Sequence, residues 1–320
     1  MQHIRDLVSQ DFAAVNQTII EQLHSRVPLV EDIGHYITEA GGKRLRPLLA
    51  LLAANACGYK GRKHIDLAVV IEFIHTATLL HDDVVDLSMK RRGRATANAQ
   101  WGNAPSVLVG DFIYSRAFQL LVHLDDRQVM ALLSDITNQI AEGEVFQLAK
   151  AGDPTTSRED YLRIIQDKTA ILFAGALQSA AIIAGADTLQ QQALYDYGLD
   201  LGLAFQLADD VLDYQGDSQA MGKNIGDDLA EGKPTLPLIY SIENNVDGEA
   251  DIVITAIRHK SAENLDKIIA LVQKNGALAH TRELAQSHVE MAKQHLSRIP
   301  DSRFREGLIE LADFALKRDH

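Results

Sequence analysis

Prolines are sparse in this chain, and their positions leave long stretches in which nothing interrupts a helix. The 320 residues contain 7 prolines, with none between Pro154 and Pro234 and none between Pro237 and Pro300. A proline inside a helix removes a backbone hydrogen bond and clashes with the preceding turn. Its absence therefore predicts long helices.

Apolar residues recur with helical spacing over residues 107–124, 129–150, 158–186 and 190–214, and few stretches alternate as strands do. Residues 151–157 and 215–237 are rich in glycine and proline, which is typical of loops. Ser157 with Asp160 resembles a capping box that starts a helix. No linker marks a boundary, and the 46% hydrophobic content can fill a large core. We expect one all-α domain, 1–320, around a central apolar cavity.

Composition excludes several classes of function. The net charge of −13 disfavours nucleic-acid binding through phosphate neutralisation. The lone Cys57 can form no internal disulfide, and the first residues lack a secretory profile, which indicates the cytoplasm. The stretch from Leu172 to Ala186 falls short of the ~20 residues that span a bilayer. We therefore predict no transmembrane segment.

Two apolar helices end in the same acidic pattern, L-x-D-D-V-x-D, at 80–86 and 207–213. Asp82 and Asp86 are four residues apart, as are Asp209 and Asp213, so each pair lies on one helix face. Mg²⁺ suits such pairs, because it takes one or two carboxylates and completes its shell with water and phosphate oxygens. A single copy would more often be a solvated helix end, but two copies favour a site for a diphosphate.

A diphosphate also needs cationic partners. Arg91 and Arg92 closely follow Asp86, while Lys43 and Arg46 can share a helix face near a positive helix N-terminus. Arginine makes forked contacts with phosphate, and lysine supplies a point charge. Each basic cluster alone is more often a solvated surface, so their significance comes from the acidic motifs nearby.

Six segments of the chain form one set of motifs: GGKRLRP at 41–47, LLHDDVVD at 79–86, RRG at 91–93, DKTA at 167–170, FQLADDVLD at 205–213 and GKNIGDDLAEGKPTLP at 222–237. Together they resemble the trans-prenyltransferase family, and within it the long-chain, octaprenyl-type polyprenyl diphosphate synthases. The resemblance covers nearly the whole chain. It implies a helical bundle of the isoprenoid synthase type, with both Asp-rich motifs facing each other at the mouth of the cavity, and a homodimer.

The resemblance also implies roles for individual residues. The ligands of about three Mg²⁺ ions would be Asp82, Asp86, Asp209 and Asp213, with Asp210 in support. The allylic diphosphate would be held by Arg91, Lys168, Lys223 and Lys233. Isopentenyl diphosphate would be held by Lys43, Arg46, His75 and Arg92, and Thr169 and Gln206 would line the reacting centre.

The reaction that the resemblance implies is the repeated addition of isopentenyl diphosphate to farnesyl diphosphate, which gives an all-trans octaprenyl chain for a respiratory quinone. The allylic C–O bond would ionise, the isopentenyl double bond would attack, and the departing diphosphate would take the proton. Ala77 and Thr78 lie about 6 to 8 Å below the metals. Their small side chains leave room for a long product, although Ala77 could also be only a tight helix contact. Seven, eight or nine units remain open, as does a tunnel floor at Met130 or Phe146.

Three other hypotheses compete with the interpretation as a prenyl synthase. A metal phosphohydrolase could use His81 and Asp82, but no HxxxH or HxxH spacing supplies further ligands, and a histidine in an apolar helix is more often structural. A regulatory subunit would keep the fold and typically lose the Asp-rich motifs, which are both present. A terpene cyclase would have no use for a second diphosphate subsite at Lys43 and Arg92.

Overall fold

The computed structural model describes residues 1–39, 41–215, 226–244 and 248–317. It is all-α, as predicted. A turn of π-helix spans Gln166–Ala170, and a 3₁₀ turn spans Leu296–Arg298. The α-helices are α1 (Gln2–Asp6), α2 (Ser9–Gln22), α3 (Pro28–Glu39), α4 (Leu45–Ala56), α5 (Lys63–Val85), α6 (Ala97–Trp101), α7 (Asn103–Leu124), α8 (Arg127–Lys150), α9 (Arg158–Ile165), α10 (Ile171–Ile183), α11 (Thr188–Gln215), α12 (Asp227–Ala230), α13 (Leu236–Glu243), α14 (Asp251–His259), α15 (Leu265–Lys274), α16 (Ala277–His295) and α17 (Arg303–Leu316).

Contacts between Cα atoms divide the chain into two compact units. The first unit comprises Met1–Thr137, Leu172–Gly198 and His295–Leu311. Its central element is α5, which packs against α2, α4, α6 and α7. Because α5 is surrounded, its side chains are apolar almost all round, and Phe73 is fully buried. This packing fixes the helix that carries the first Asp-rich motif.

The second unit comprises Asn138–Ile171, Leu199–Gln294 and Ala312–His320. Two hydrophobic clusters hold the C-terminal part of α11 in it. Tyr214 packs with side chains of α12 to α16, including Leu238 and Val253. Leu207 packs in a second cluster with Tyr161 of α9 and Leu203 of α11. The helix that carries the second Asp-rich motif is therefore anchored on both sides of that motif.

The helical segments predicted from periodicity are present, but the segment 158–186 is not one continuous α-helix. Its start is confirmed: Asp160 N donates to Ser157 Oγ at 3.0 Å, and Ser157 N donates to Asp160 Oδ2 at 3.3 Å. The π turn then interrupts it at Gln166–Ala170, and α10 continues from Ile171. The loop predicted at 215–237 contains the short helix α12, and its residues 216–225 lie outside the described part of the chain.

A two-stranded hairpin between α5 and α6 was not predicted from the sequence. Strand β1 (Lys90–Arg91) pairs antiparallel with β2 (Arg94–Ala95), and Arg91 stands opposite Arg94. Strands of two residues are too short for an alternating pattern to reveal them. The hairpin directs the chain back towards α5 directly after the first acidic motif.

Two helices of the described residues, α5 and α7, are long and apolar enough to cross a membrane by length and composition alone. The stretch 172–186, the most apolar by sequence, is not one of these two helices. In the most apolar window of α5, 67% of the residues are buried inside the protein, and in that of α7 39% are. The burial of α5 is that of a core helix.

Candidate active site

The first acidic motif closes the C-terminal end of α5. Asp86 is the C-cap, and its backbone N–H donates to Asp82 O at 2.8 Å, so the two residues stay one turn apart as predicted. The C-terminus of a helix carries partial negative charge, which makes carboxylates there unfavourable without a cation. This end of α5 is therefore suited to a cation.

Asp83, the middle carboxylate of the motif, is buried and ion-paired with Arg91. Arg91 Nη2 donates to Asp83 Oδ1 at 2.7 Å, and its Nε donates to the same oxygen at 3.0 Å and to Oδ2 at 3.2 Å. The Asp83 side chain is 1% exposed. The resemblance assigned Arg91 to the allylic diphosphate, whereas in this structure its guanidinium ties β1 to α5.

The glycine-rich turn before α4 is held by two arginines. Arg5 Nη2 donates to Lys43 O at 2.7 Å. Arg44, at φ 45°, has a left-handed backbone, and its side chain donates to Asn16 Oδ1 on α2 and, at 3.3 Å, to Thr38 O on α3. Arg44 is thus a structural residue, although it lies inside the GGKRLRP motif.

Gly42 makes room for an arginine. A Cβ at Gly42 would lie 2.6 Å from Arg92 Nη1, closer than real Cβ atoms approach, and the φ of 148° also favours glycine. The Arg92 guanidinium therefore lies directly against the turn that carries Lys43. Two of the residues predicted to hold isopentenyl diphosphate are brought together by this contact.

His75 and Arg46 belong to the same neighbourhood. Burial lowers the pKa of His75 well below its usual value, and the positive charges of Arg46 and Arg92 lower it further, so the ring is neutral. Arg46 lies over the ring of Phe173, with Cζ 4.4 Å from the centroid. A neutral histidine among cations can donate a hydrogen bond to a phosphate oxygen without adding a like charge.

Sequence reasoning missed Glu72, which lies one turn before His75 on α5. Its side chain is 14% exposed, and its Oε1 lies 4.0 Å from Arg44 Nε. Burial raises the pKa of Glu72, and Arg44, Arg46 and Arg92 oppose that rise. A glutamate inside an otherwise apolar helix was the signal that could have identified it.

The second acidic motif lies at the C-terminal end of α11. Asp210 is buried, Tyr161 Oη donates to its Oδ2 at 2.5 Å, and Gln206 Nε2 donates to its Oδ1 at 2.9 Å. Burial, and then the charge of Asp228, raises the pKa of Asp210 to about 8. Asp213 is also buried, with 8% exposed.

The π turn presents two more predicted residues to this second unit. Lys168 Nζ donates to Glu144 Oε2 at 2.7 Å and to Gln147 Oε1 at 2.9 Å. Thr169 Oγ1 donates to Gln206 Oε1 at 3.3 Å, so the two residues expected at the reacting centre are in contact. Widened π turns occur often at functional sites.

A glycine and a buried carboxylate fix the position of the π turn. Gln139 Nε2 donates to Asp167 Oδ1 at 2.7 Å. A Cβ at Gly143 would lie 2.8 Å from Asp167 Cβ and 3.1 Å from Lys168 N, so only glycine lets the turn approach α8 this closely. The placement of Lys168 therefore depends on α8.

Lys233 lies in the turn after α12. Its backbone N–H donates to Asp228 O at 2.8 Å, and its Nζ lies 2.5 Å from Glu231 Oε2. Lys223, the other lysine predicted in this segment, lies outside the described residues. The motif around 226–233 thus brings one predicted cation next to the acidic residues of α12.

His81 contacts α7. Its Nε2 lies 3.2 Å from Val107 O and 3.3 Å from Asp111 Oδ1, and its ring fills the space that a Cβ at Gly110 would need. These contacts give His81 a structural role between two helices. They offer no support for a His–Asp metal pair of the phosphohydrolase type.

The donor set of each acidic motif fits a divalent cation shared with a substrate. Among the described residues, no group of three or more His, Cys, Asp or Glu side chains converges on one point. Mg²⁺ commonly takes one or two carboxylates and fills its octahedron with waters and phosphate oxygens. Paired aspartates at a helix end therefore suit a metal bound together with a diphosphate.

The two residues predicted to set product length lie on α5, and the two candidates for the floor of the tunnel lie on α8. Ala77 is fully buried on α5, and Thr78, partly accessible, donates from Oγ1 to His75 O at 2.8 Å. Phe146 of α8 lies under Arg163, with Cζ 4.8 Å from the ring centroid. Met130, near the start of α8, is partly buried.

Comparison with known proteins agrees with this architecture. The polyprenyl synthetase family model matches residues 27–274. The chain is 49% identical to the octaprenyl diphosphate synthase of Escherichia coli K12, over 100% of this chain and 99% of that protein. It is 47% identical to an all-trans-nonaprenyl-diphosphate synthase of Rhodobacter capsulatus, over 97% and 96% of the two chains.

A solved structure matches over the full length as well. The polyprenyl synthase of Caulobacter crescentus CB15, in complex with calcium and isoprenyl diphosphate, superposes with a TM-score of 0.96 at 45% identity, covering 100% of this chain and 98% of that one. The fold is therefore that of the isoprenyl diphosphate synthases. The chain belongs to the polyprenyl synthetase family of prenyltransferases.

Proposed function

We propose that this protein is an all-trans polyprenyl diphosphate synthase that extends farnesyl diphosphate with isopentenyl diphosphate, and that its product is octaprenyl diphosphate. The observation that carries the proposal is the pair of acidic helix ends, each with a buried central aspartate and nearby cations. The 49% identity over the whole chain to an octaprenyl diphosphate synthase supports the product assignment. We also propose that residues 1–320 act as one domain.

Asp82 and Asp86 in the first unit, and Asp209 and Asp213 in the second, would hold Mg²⁺. When bound, the metal would neutralise the negative charge that builds on the leaving diphosphate. The family neighbour solved with calcium supports the use of a divalent cation. About three ions per site is the number we propose.

The basic residues divide into two sets, one for each diphosphate. Lys43, Arg46, His75 and Arg92 would receive isopentenyl diphosphate, and the contact of Arg92 with Gly42 supports this grouping. Lys168, Lys223 and Lys233, with Arg91 at the first motif, would receive the allylic diphosphate. In this structure Arg91 also contacts Asp83, which holds its guanidinium at the first motif.

The chemistry requires few protein groups beyond these. Fixed cations stabilise the leaving diphosphate better than mobile water does, and a site closed to water protects the allylic cation from hydrolysis. Thr169 and Gln206, in contact at 3.3 Å, would line the reacting centre. The departing diphosphate would remove the proton that restores the double bond, so we assign no side-chain base.

Ala77 and Thr78 would set product length from below the first motif. Ala77 leaves no side-chain bulk beneath Asp82, and Thr78 is held back by its bond to His75 O. We propose that the enzyme forms a homodimer, resides in the cytoplasm and supplies a respiratory quinone side chain. The lone cysteine and the bacterial relatives support that location.

The test is incubation of purified protein with farnesyl diphosphate, labelled isopentenyl diphosphate and Mg²⁺, with EDTA controls and sizing of the extracted lipid. We expect a metal-dependent ladder that ends at eight units. A folded protein that elongates none of several allylic primers would contradict the catalytic proposal and favour a regulatory subunit. Light-scattering mass in the same preparation checks the dimer.

A further inference from the structure

A carboxylate lies among the basic residues of the first unit, and the reaction proposed above gives it no role. Glu72 is largely buried on α5, one helical turn before His75, with its Oε1 4.0 Å from Arg44 Nε. The charges of Arg44, Arg46 and Arg92 all act on it. A carboxylate beside a phosphate-binding cluster repels the ligand, so its presence requires a compensating benefit.

One benefit is the pairing of Glu72 with Arg44, a residue whose position is fixed by several contacts. Its side chain donates to Asn16 on α2 and to Thr38 O on α3. Its backbone is held in the left-handed region at the N-cap of α4. Glu72 therefore pairs with a guanidinium that is committed to the scaffold and cannot swing towards substrate.

The other two arginines are crowded by like charge. Burial and the charge of Arg91 lower the pKa of Arg92, and Glu72 opposes that effect. Arg92 also lies against Gly42, where no side chain shields it from the turn of Lys43. Like charges held this close are stabilised by a counter-charge, and Glu72 is an acidic group whose charge acts on Arg92.

We propose that Glu72 is a positioning residue for isopentenyl diphosphate: a shared counter-ion that, together with Arg44, holds Arg46 and Arg92 in the arrangement that receives the diphosphate. The inference rests on the proposed function. Cations held in place before binding lose less conformational freedom when the ligand arrives, which improves affinity for that ligand. The allylic diphosphate relies on other cations, so its binding is not expected to depend on Glu72.

The experiment compares wild-type protein with Glu72→Gln and with Asp66→Asn, an exposed carboxylate on the same helix. We expect Glu72→Gln to raise KM for isopentenyl diphosphate about tenfold or more, with kcat at saturation and KM for farnesyl diphosphate within about threefold of wild type. Asp66→Asn is expected to match wild type. Glu72→Asp, which keeps the charge on a shorter stem, is expected to lie between, and it carries the test if the glutamine variant does not fold.

Each alternative outcome is distinct. An unchanged or lower KM for isopentenyl diphosphate in Glu72→Gln, in an otherwise active enzyme, would overturn the inference and leave the proposed function intact. Equal increases in both KM values, with a lower melting temperature, would show a purely structural role and also overturn it. Wild-type protein that neither elongates nor binds isopentenyl diphosphate in calorimetry would overturn the proposed function and this inference together.

Discussion

The C-terminal ends of α5 and α11 carry the same acidic pattern, yet the protein anchors them differently. In both, the middle aspartate is 1% exposed. Asp83 forms an ion pair with the Arg91 guanidinium, whereas Asp210 accepts hydrogen bonds from two neutral groups, Tyr161 and Gln206. A shared motif therefore fixes where the carboxylates lie, and the surrounding helices decide their electrostatic environment.

The residues below the two motifs differ as well. Ala77 and Ala204 occupy equivalent positions, five residues before the first aspartate, and both are fully buried. The next residue is Thr78 in α5 and Phe205 in α11. The first end thus has small side chains beneath its aspartates where the second has an aromatic ring. Product length is expected to respond to α5.

The largest effect is expected when the first aspartate of either motif is removed, and it shows whether both motifs take part in the same reaction. Asp82→Ala and Asp209→Ala are each expected to lower the rate of isopentenyl incorporation on the order of 10³-fold, because each removes a ligand of the metals that neutralise the leaving group. Initial rates at saturating Mg²⁺ measure this, with Asp66→Ala on α5 as a matched control. Retention of activity within about tenfold by either variant would mean that its motif lies outside the reaction.

Product length tests the difference beneath the motifs. Ala77→Tyr is expected to shorten the product by several isoprene units, since a ring one turn below Asp82 would block the growing chain. Thin-layer sizing of the extracted lipids measures the shift, and Ala77→Ser, which keeps the side chain small, is expected to leave the product unchanged. If the tyrosine variant folds and its products keep their length, the floor of the tunnel lies elsewhere.

The free energy of unfolding allows the contacts of Asp83 to be compared with those of Asp210. Asp83→Asn is expected to lower the free energy of unfolding by about 2–3 kcal/mol, because it leaves the Arg91 guanidinium without its charged partner. Asp210→Asn is expected to lower it by only about 1 kcal/mol, since its partners are neutral and an amide can keep part of the bonding. Urea unfolding of both variants measures the contrast. Equal losses would mean that the two anchors are energetically alike.

The smallest expected effect concerns how α5 ends. Leu87 follows the helix at φ 53°, and Ser88 N donates to Asp83 O at 2.9 Å, a closing turn in which glycine is usual. Leu87 is 73% exposed, so its side chain contributes little to the core. Leu87→Gly is expected to raise the free energy of unfolding by about 0.5–1 kcal/mol by relieving that backbone. Leu87→Ala keeps the Cβ, and an equal gain in thermal melting there would refute the explanation.

Local sequence patterns predicted the helices well because those patterns report contacts along one face of one helix. The segments ending at Leu124 and Lys150 finish where the periodicity predicts. The capping box at Ser157 also formed, since its two hydrogen bonds lie within four residues. These features depend on neighbours in the chain.

The parts that sequence could not predict depend on distant partners. The π turn requires Gly143 and Gln139 of α8 to accept Asp167, and no pattern within 158–186 contains that information. The bond between Arg91 and Asp83 spans a hairpin whose strands are too short to recognise. Family motifs identified the residues of the candidate site. The fold was needed to separate the residues that would touch substrate from those that hold other residues in place.

The π turn has a further consequence, for the number of residues that this segment can have. A π turn contains one residue more than the α-helix that it interrupts. Deleting one residue from Gln166–Ala170 would let a continuous α-helix form while the turns on either side keep their relative orientation, because the widened turn accommodates the extra residue locally. Tyr161 would then stay directed towards Asp210, whereas the backbone that presents Lys168 and Thr169 would change. The extra residue between the cap at Ser157 and the start of α10 therefore serves the placement of these two side chains and not the register of the helix.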